Sequence, residues 1–152
     1  MGNLNSHKGS SLFGIKFFET PRPSFNQSNP LNMEPNKNSE ALELEKSTVH
    51  IIVEIIEYVP NAVVSKTIIR KTTGNVTAMS FDSGEELGEK STPFDTFIQV
   101  IDGKAEVVIE KITHQLNLGT GIIIPAHKPH CFNAKEKFKL ISTVIKSGYE
   151  SL

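Results

Sequence analysis

From residue 63 onward the chain breaks into short runs of apolar and polar residues that end at turn-forming residues, one of them alternating with a period of two. Such alternation marks a half-buried strand, because successive side chains of a strand point to opposite faces. On that run Ala105, Val107 and Ile109 alternate with Glu106 and Glu110, and residues 63–71, 76–81, 97–101 and 138–146 read as further short strands between turns. Residues 122–125 form a continuous apolar run. Punctuation comes from Thr73-Gly74-Asn75, Asp82-Ser83-Gly84 and Asp102-Gly103, the last a two-residue hairpin signal. About eight strands at this spacing in about 100 residues, with no helix-length pattern between them, predict an all-β antiparallel sandwich or barrel rather than a parallel sheet.

Upstream the pattern changes twice. Ser47 can cap a short helix in which His50, Glu54 and Glu57 recur at spacings of four and three before Pro60 ends it. The β-branched Ile51, Ile52, Val53, Ile55 and Ile56 pull the same segment toward strand. Residues 1–46 hold seven Asn and four of the eight Pro, with no sustained period. Too little apolar surface is available there to offset the entropy of ordering, so a disordered N-terminal tail is predicted. Its exception is the apolar patch at residues 12–18, which either docks on the folded domain or is untranslated if Met33 is the start.

Composition narrows the function classes. The formal net charge of -1 supplies no basic field for nucleic acid or anionic lipid. The single cysteine, Cys131, rules out an intramolecular disulfide and a thiolate zinc cluster, and reads as a small buried residue. No stretch of 18 apolar residues predicts a membrane span, and no secretory leader is legible, so a cytoplasmic location is expected. Met1-Gly2-Asn3-Leu4-Asn5-Ser6 does fit the N-myristoylation template, although one acyl chain binds membranes only marginally.

Two stretches resemble the paired motifs of the cupin superfamily. The first motif, G-x5-H-x-H-x3-E-x6-G, is matched in register by Gly84 and Gly103, with Lys90, Thr92 and Thr96 between them. The second, G-x5-P-x-G-x2-H-x3-N, is matched by Gly119, Pro125 and His130, with Ala134 at the Asn position and Asn133 one place early. Segments 64–67, 74–77 and 93–95, with Gln99-Val100, are similar to a branch of small single-domain cupins. The resemblance implies a cupin-type double-stranded β-helix (jelly-roll) barrel over residues 47–149, preceded by a short N-terminal helix and the tail at 1–46. It also implies a homodimer.

In metal-binding members of the superfamily, three histidines and a glutamate of these motifs hold a divalent metal. Carried onto this sequence the four positions are Lys90, Thr92, Thr96 and His130, so one imidazole remains of the set. An ammonium cannot ligate while protonated, and its charge opposes a cation. The available substitutes are His127, which stands at the motif's glycine, and Gln99, but strand alternation turns Gln99 outward if Thr96, Ile98 and Val100 face inward. No resident cofactor is therefore expected, with a divalent metal on His130, His127 and Gln99 as the alternative. His50 and His114 read as surface residues.

A basic pair of His130 and Lys90 in an apolar barrel would suit a small carboxylate or other anion. Three functions stay open on this basis: a small-molecule-binding barrel, an oxygenase- or isomerase-type enzyme with unusual ligands or acid–base catalysis by His130, and a dimeric interaction module.

Overall fold

The computed structural model describes residues 43–146. Nine strands fill it: β1 (Val63–Lys71), β2 (Gly74–Phe81), β3 (Glu86–Lys90), β4 (Thr96–Gly103), β5 (Ala105–Ile109), β6 (Ile112–Leu116), β7 (Gly121–Ile124), β8 (His130–Asn133) and β9 (Phe138–Ile145). They form two antiparallel sheets, one ordered β1-β2-β9-β4-β7 and the other β3-β8-β5-β6. The jelly-roll expected from the strand pattern is present. Expectations for Gly2, the 12–18 patch, Met33 and the remaining tail up to residue 42 lie outside the described residues.

The core lies between the sheets. Val63, Met79, Phe81, Val100, Phe138 and Leu140 of the larger sheet pack on Leu87, Ala105, Val107 and Phe132 of the smaller one. Phe81 stacks on Phe138 at 4.4 Å between centroids and meets Phe132 at 5.9 Å, so one end of the barrel is closed by three rings. Burying those rings supplies a large share of the apolar driving force.

Three sequence expectations need correcting. Residues 47–60 do not form the short N-terminal helix; a single 3₁₀ turn at Ile52–Glu54 is all that forms. Tertiary burial overrides the polar spacing, because Ile56, with Ile55 and Val59, packs on Ala62, Val64 and Ala78 of the larger sheet's outer face. Asp102-Gly103 is not a hairpin turn. It ends β4, paired with Lys139 and Phe138 of β9, and β5 belongs to the other sheet. Gly103, at φ 69°, makes that sheet-to-sheet crossing, and a Cβ there would run into the Lys137 carbonyl. Finally, Gly74 and Asn75 are not turn residues but the start of β2, and the hairpin loop is Thr72-Thr73.

The segment before β1 is fastened across the outer face of the larger sheet. The Leu44 N–H donates to Ile68 O at 3.2 Å, and the Arg70 N–H donates to the Glu43 carboxylate at 2.6 Å. Ser80 Oγ donates to Glu57 O, and the buried Lys139 ammonium donates to Val53 O, each at 2.7 Å. Tyr58 OH donates to Asp102 at 2.7 Å while both Lys137 and Lys139 sit over its ring. Burial first, and then the Asp102 carboxylate, push the Tyr58 phenol well above its usual pKa.

Candidate functional site

The chain's connections fix which strand ends share the end of the barrel away from Phe81 and Phe138. Residues 82–85 join β2 to β3 beside Phe81, at the closed end, so β3 runs upward to Lys90. Residues 91–95 then lead into Thr96 at the top of β4, and His130 begins β8 beside them. Lys90, Thr96 and His130 therefore share the end opposite the Phe81–Phe138 stack.

His130 is 3% exposed and faces the interior, with its ring 6.1 Å from Phe132 and edge-on to it. Its Nδ1 lies 3.0 Å from Lys128 O. A carbonyl only accepts, so Nδ1 carries the proton and Nε2 offers a lone pair when the ring is neutral. Among the described residues no fully buried side-chain nitrogen or oxygen lacks a partner, so Nε2, which has none, keeps some contact with solvent. Burial lowers the imidazole pKa, the Lys128 carbonyl partly opposes this, and the charge of Lys90 lowers it further.

Lys90 is the cross-strand partner of His130 on β3. Directly opposed residues of an antiparallel pair project to the same face, so the lysine shares the inner face of its partner. A bulge achieves this. Leu87 pairs with Phe132 and Lys90 with His130, so three steps on β3 match two on β8. In a regular ladder Glu89 would oppose His130. Instead Glu89 lies where its charge acts on Cys131, on the outer face, and raises the thiol pKa that burial has already raised. Lys90 is exposed by accessible area, yet enough protein surrounds its head for desolvation to lower its pKa. It makes no ion pair among the described residues, with Glu85, Glu86, Glu89 or any other carboxylate.

The remaining sequence candidates lie elsewhere. Thr92 Oγ1 donates to Phe94 O at 2.9 Å, and buried Thr96 donates to the same carbonyl at 3.5 Å, so both hydroxyls are engaged in the local turn. Gln99 is exposed on the face of β4 opposite Ile98 and Val100. His127 is exposed in the β7–β8 turn, where its N–H donates to Thr92 O at 2.6 Å. Its φ of 65° explains the glycine of the resembling motif, since left-handed backbone is what that position requires. The structure thus joins Lys90 with His130, turns Gln99 to the other face of β4, and leaves the His127 side chain exposed in the turn that leads into His130.

A divalent metal does not fit the motif positions as this chain fills them. One imidazole, two neutral hydroxyls already bonded to a carbonyl and an ammonium are a poor donor set for any first-row cation. Among the described residues no three His, Cys, Asp or Glu side chains gather in an arrangement that could hold a metal ion.

Sequence reasoning missed most of the wall facing this pair. Thr67, Thr77 and Ser142 are aligned across β1, β2 and β9 and share the inner face of Met79 and Leu140. All three are half-buried. His114, opposite Val107, is half-buried on the inner side of β6 rather than on the sheet surface. Glu86, Glu106 and Asp102 belong to outer faces, and no strand brings an Asp or Glu to the inner face among the described residues. Cross-strand register could not be read from a single sequence, so nothing there linked the three hydroxyls.

No family model matches the chain, and no curated protein matches it by sequence. Solved structures do. A conserved protein of unknown function from Streptococcus pyogenes is 27% identical, with a TM-score of 0.67 over 70% of this chain and 94% of that one. A cupin 2 conserved barrel domain protein from Leptotrichia buccalis is 29% identical, with a TM-score of 0.60 over 62% of this chain and 46% of that longer one. A cupin superfamily protein from Desulfitobacterium hafniense shares the fold at 22% identity, with a TM-score of 0.63 over 70% of this chain and 96% of that one. No helix among the described residues is long and apolar enough to cross a membrane.

Proposed function

This chain is a small cupin-superfamily protein, and we propose that it binds a small organic anion in the mouth of its barrel. One observation carries the reading: the Lys90 ammonium, partly desolvated and, among the described residues, without a carboxylate partner, stands opposite His130 on a face to which no described strand brings an Asp or Glu. A cation so placed lacks a counter-charge that a carboxylate ligand would supply, and charge-assisted hydrogen bonds are the strong ones. The neutral His130 contributes Nε2 as an acceptor, or as a second donor once it is protonated. Below the pair, Phe132 and Phe81 give the ligand's carbon frame an apolar floor.

A thermal-shift screen of small carboxylic acids on the untagged protein tests this. Stabilisation by at least one acid, lost in Lys90→Ala, supports the proposal; a flat response across the screen removes it. The proposal places the barrel in residues 47–149 and the protein in the cytoplasm, working as a homodimer. Phe97 and Ile123, exposed cross-strand partners at the β7 edge, are the apolar surface such a dimer would cover. Analytical ultracentrifugation of the parent protein and of Ile123→Lys tests the dimer, and a monomeric parent would overturn it.

A further inference from the structure

A second strand irregularity bears on what that anion is. In β1, Thr67 pairs with Thr77, but Ile69 pairs with Val76 and Arg70 with Asn75, so Ile68 is an extra residue. Ile68 turns to the outer face, where it packs on the cluster around Ala78. The inserted residue changes the phase of everything beyond it. Arg70 would share the outer face of Val64 and Lys66 in a regular strand; the bulge sends it to the inner face with Asn75, Thr77 and Thr67. Its guanidinium reaches back over that face, with Nη2 3.5 Å from Thr67 Oγ1. Glu43 engages only the Arg70 backbone N–H, and among the described residues the guanidinium pairs with no carboxylate.

Arg70 stands near the top of β1, the strand next to β2, and β2 leads through residues 82–85 into β3, which carries Lys90. The mouth is thus flanked by two cations, one on each sheet, each brought to the inner face by its own bulge. From the strand of Arg70 the row Thr67, Thr77, Ser142 runs across the inner face of the larger sheet, each hydroxyl able to donate and accept. A monocarboxylate would use one cation and leave the other and the hydroxyl row to water.

Resting on the anion-binding reading, we infer that the ligand is a hydroxylated dicarboxylate. One carboxylate sits on Lys90 and His130, the other on Arg70, whose planar fork suits bidentate recognition, and the hydroxyl lies against Thr77 and Ser142.

Isothermal titration of the full chain with propionate, succinate and L-malate tests the assignment. Malate should bind more tightly than succinate, and succinate about tenfold or more tighter than propionate, the size of one added charge-assisted contact. Arg70→Ala should bring malate and succinate down to the propionate level without altering propionate. Thr77→Val should weaken malate alone. Arg70 is exposed, so its variant should melt with the parent and its loss of binding is not a folding defect. Propionate binding as tightly as malate, or Arg70→Ala leaving succinate unchanged, overturns the dicarboxylate assignment while the anion site stands. Failure of all three acids to bind the parent protein overturns both.

Discussion

Lys90 and His130 oppose one another across β3 and β8, and the bulge at Gly88–Glu89 is what puts a cation rather than a carboxylate opposite the imidazole. The arrangement opposes stability in the free protein, because desolvation disfavours the ammonium and its charge lies beside an imidazole whose protonation it opposes. Lys90→Met keeps the stem's apolar contacts and removes the charge. The variant should melt a few degrees above the parent in the absence of ligand and show no stabilisation by the carboxylic acids proposed as ligands. Calorimetry with and without acid separates the two effects; a lower melting temperature for the free variant would contradict this account of the pair.

The His130 pKa gives a pH dependence with a definite sign. Its folded pKa is depressed, chiefly by burial, so the unfolded chain binds the proton more readily than the folded one. Stability must then fall as pH drops below about 6.5, the unfolded value, toward the folded pKa. A bound carboxylate reverses the preference, since it favours the imidazolium. Acid binding should therefore take up a proton and tighten as pH falls from about 8 to 6, while the ligand itself stays ionised. His130→Gln should flatten both profiles. A ligand affinity independent of pH in the parent would show that His130 does not face the anion.

Much of the fold was legible because short apolar-rich runs and the turn residues between them are local signals. Strands β1 and β5 are found where the pattern places them, and β9 begins there. β3 was missed because Glu86, Gly88, Glu89 and Lys90 surround a single apolar Leu87, leaving nothing to alternate. β6 was missed because its turn is Glu110-Lys111, both with positive φ, where such tight hairpins ordinarily take Asn-Gly. The site was less legible for a related reason. Alternation assigns Arg70 to the face of Val64, and only the Ile68 bulge moves it, while a bulge leaves no mark in one sequence. Motif register did single out Lys90 and His130, which the structure pairs across β3 and β8, but it gave no sign of the hydroxyl row on the larger sheet.

His127 holds a left-handed φ of 65° that costs a side-chain-bearing residue about 1–2 kcal/mol. Glycine pays no such strain but loses more entropy on folding, roughly 0.4–1 kcal/mol. His127→Gly should therefore stabilise the protein by about 0.5–1 kcal/mol. Because the imidazole is exposed and is not part of the Lys90–His130 pair, acid binding should be unchanged. Denaturant melts of the variant check the first statement and titration the second; destabilisation would mean that the side chain makes a contact outweighing its backbone strain.

Gly103 tests the sheet crossing. Alanine there meets both a positive φ and the Lys137 carbonyl, which is backbone and cannot swing aside. The expected cost is about 2–4 kcal/mol, since strain and overlap add. Gly84 also has positive φ, 86°, but nothing surrounds its missing Cβ. Gly84→Ala should consequently cost only about 1 kcal/mol, the conformational part alone. Equal losses from the two variants would locate the crossing's constraint in φ and not in the approach of β9.

The outer face of the larger sheet depends on the segment before β1 for both apolar cover and polar partners. Lys139 is a 6% exposed cation whose hydrogen bond is to Val53 O and whose ring contact is Tyr58. Buried charge without partners is among the most expensive defects a fold can carry. Removing residues 1–42 leaves every one of these contacts in place, and the melting temperature should not move. Removing residues 1–60 strips Ile56 from the outer cluster and takes the partners of Lys139 and Ser80 with it, so that chain should fail to fold. Tyr58→Phe lies between the two: it keeps the ring under both lysines but leaves Asp102 without its 2.7 Å donor, at about 1–2 kcal/mol. Chemical denaturation of the three proteins orders them, and an unchanged Tyr58→Phe midpoint would show that Asp102 finds water as readily as the phenol.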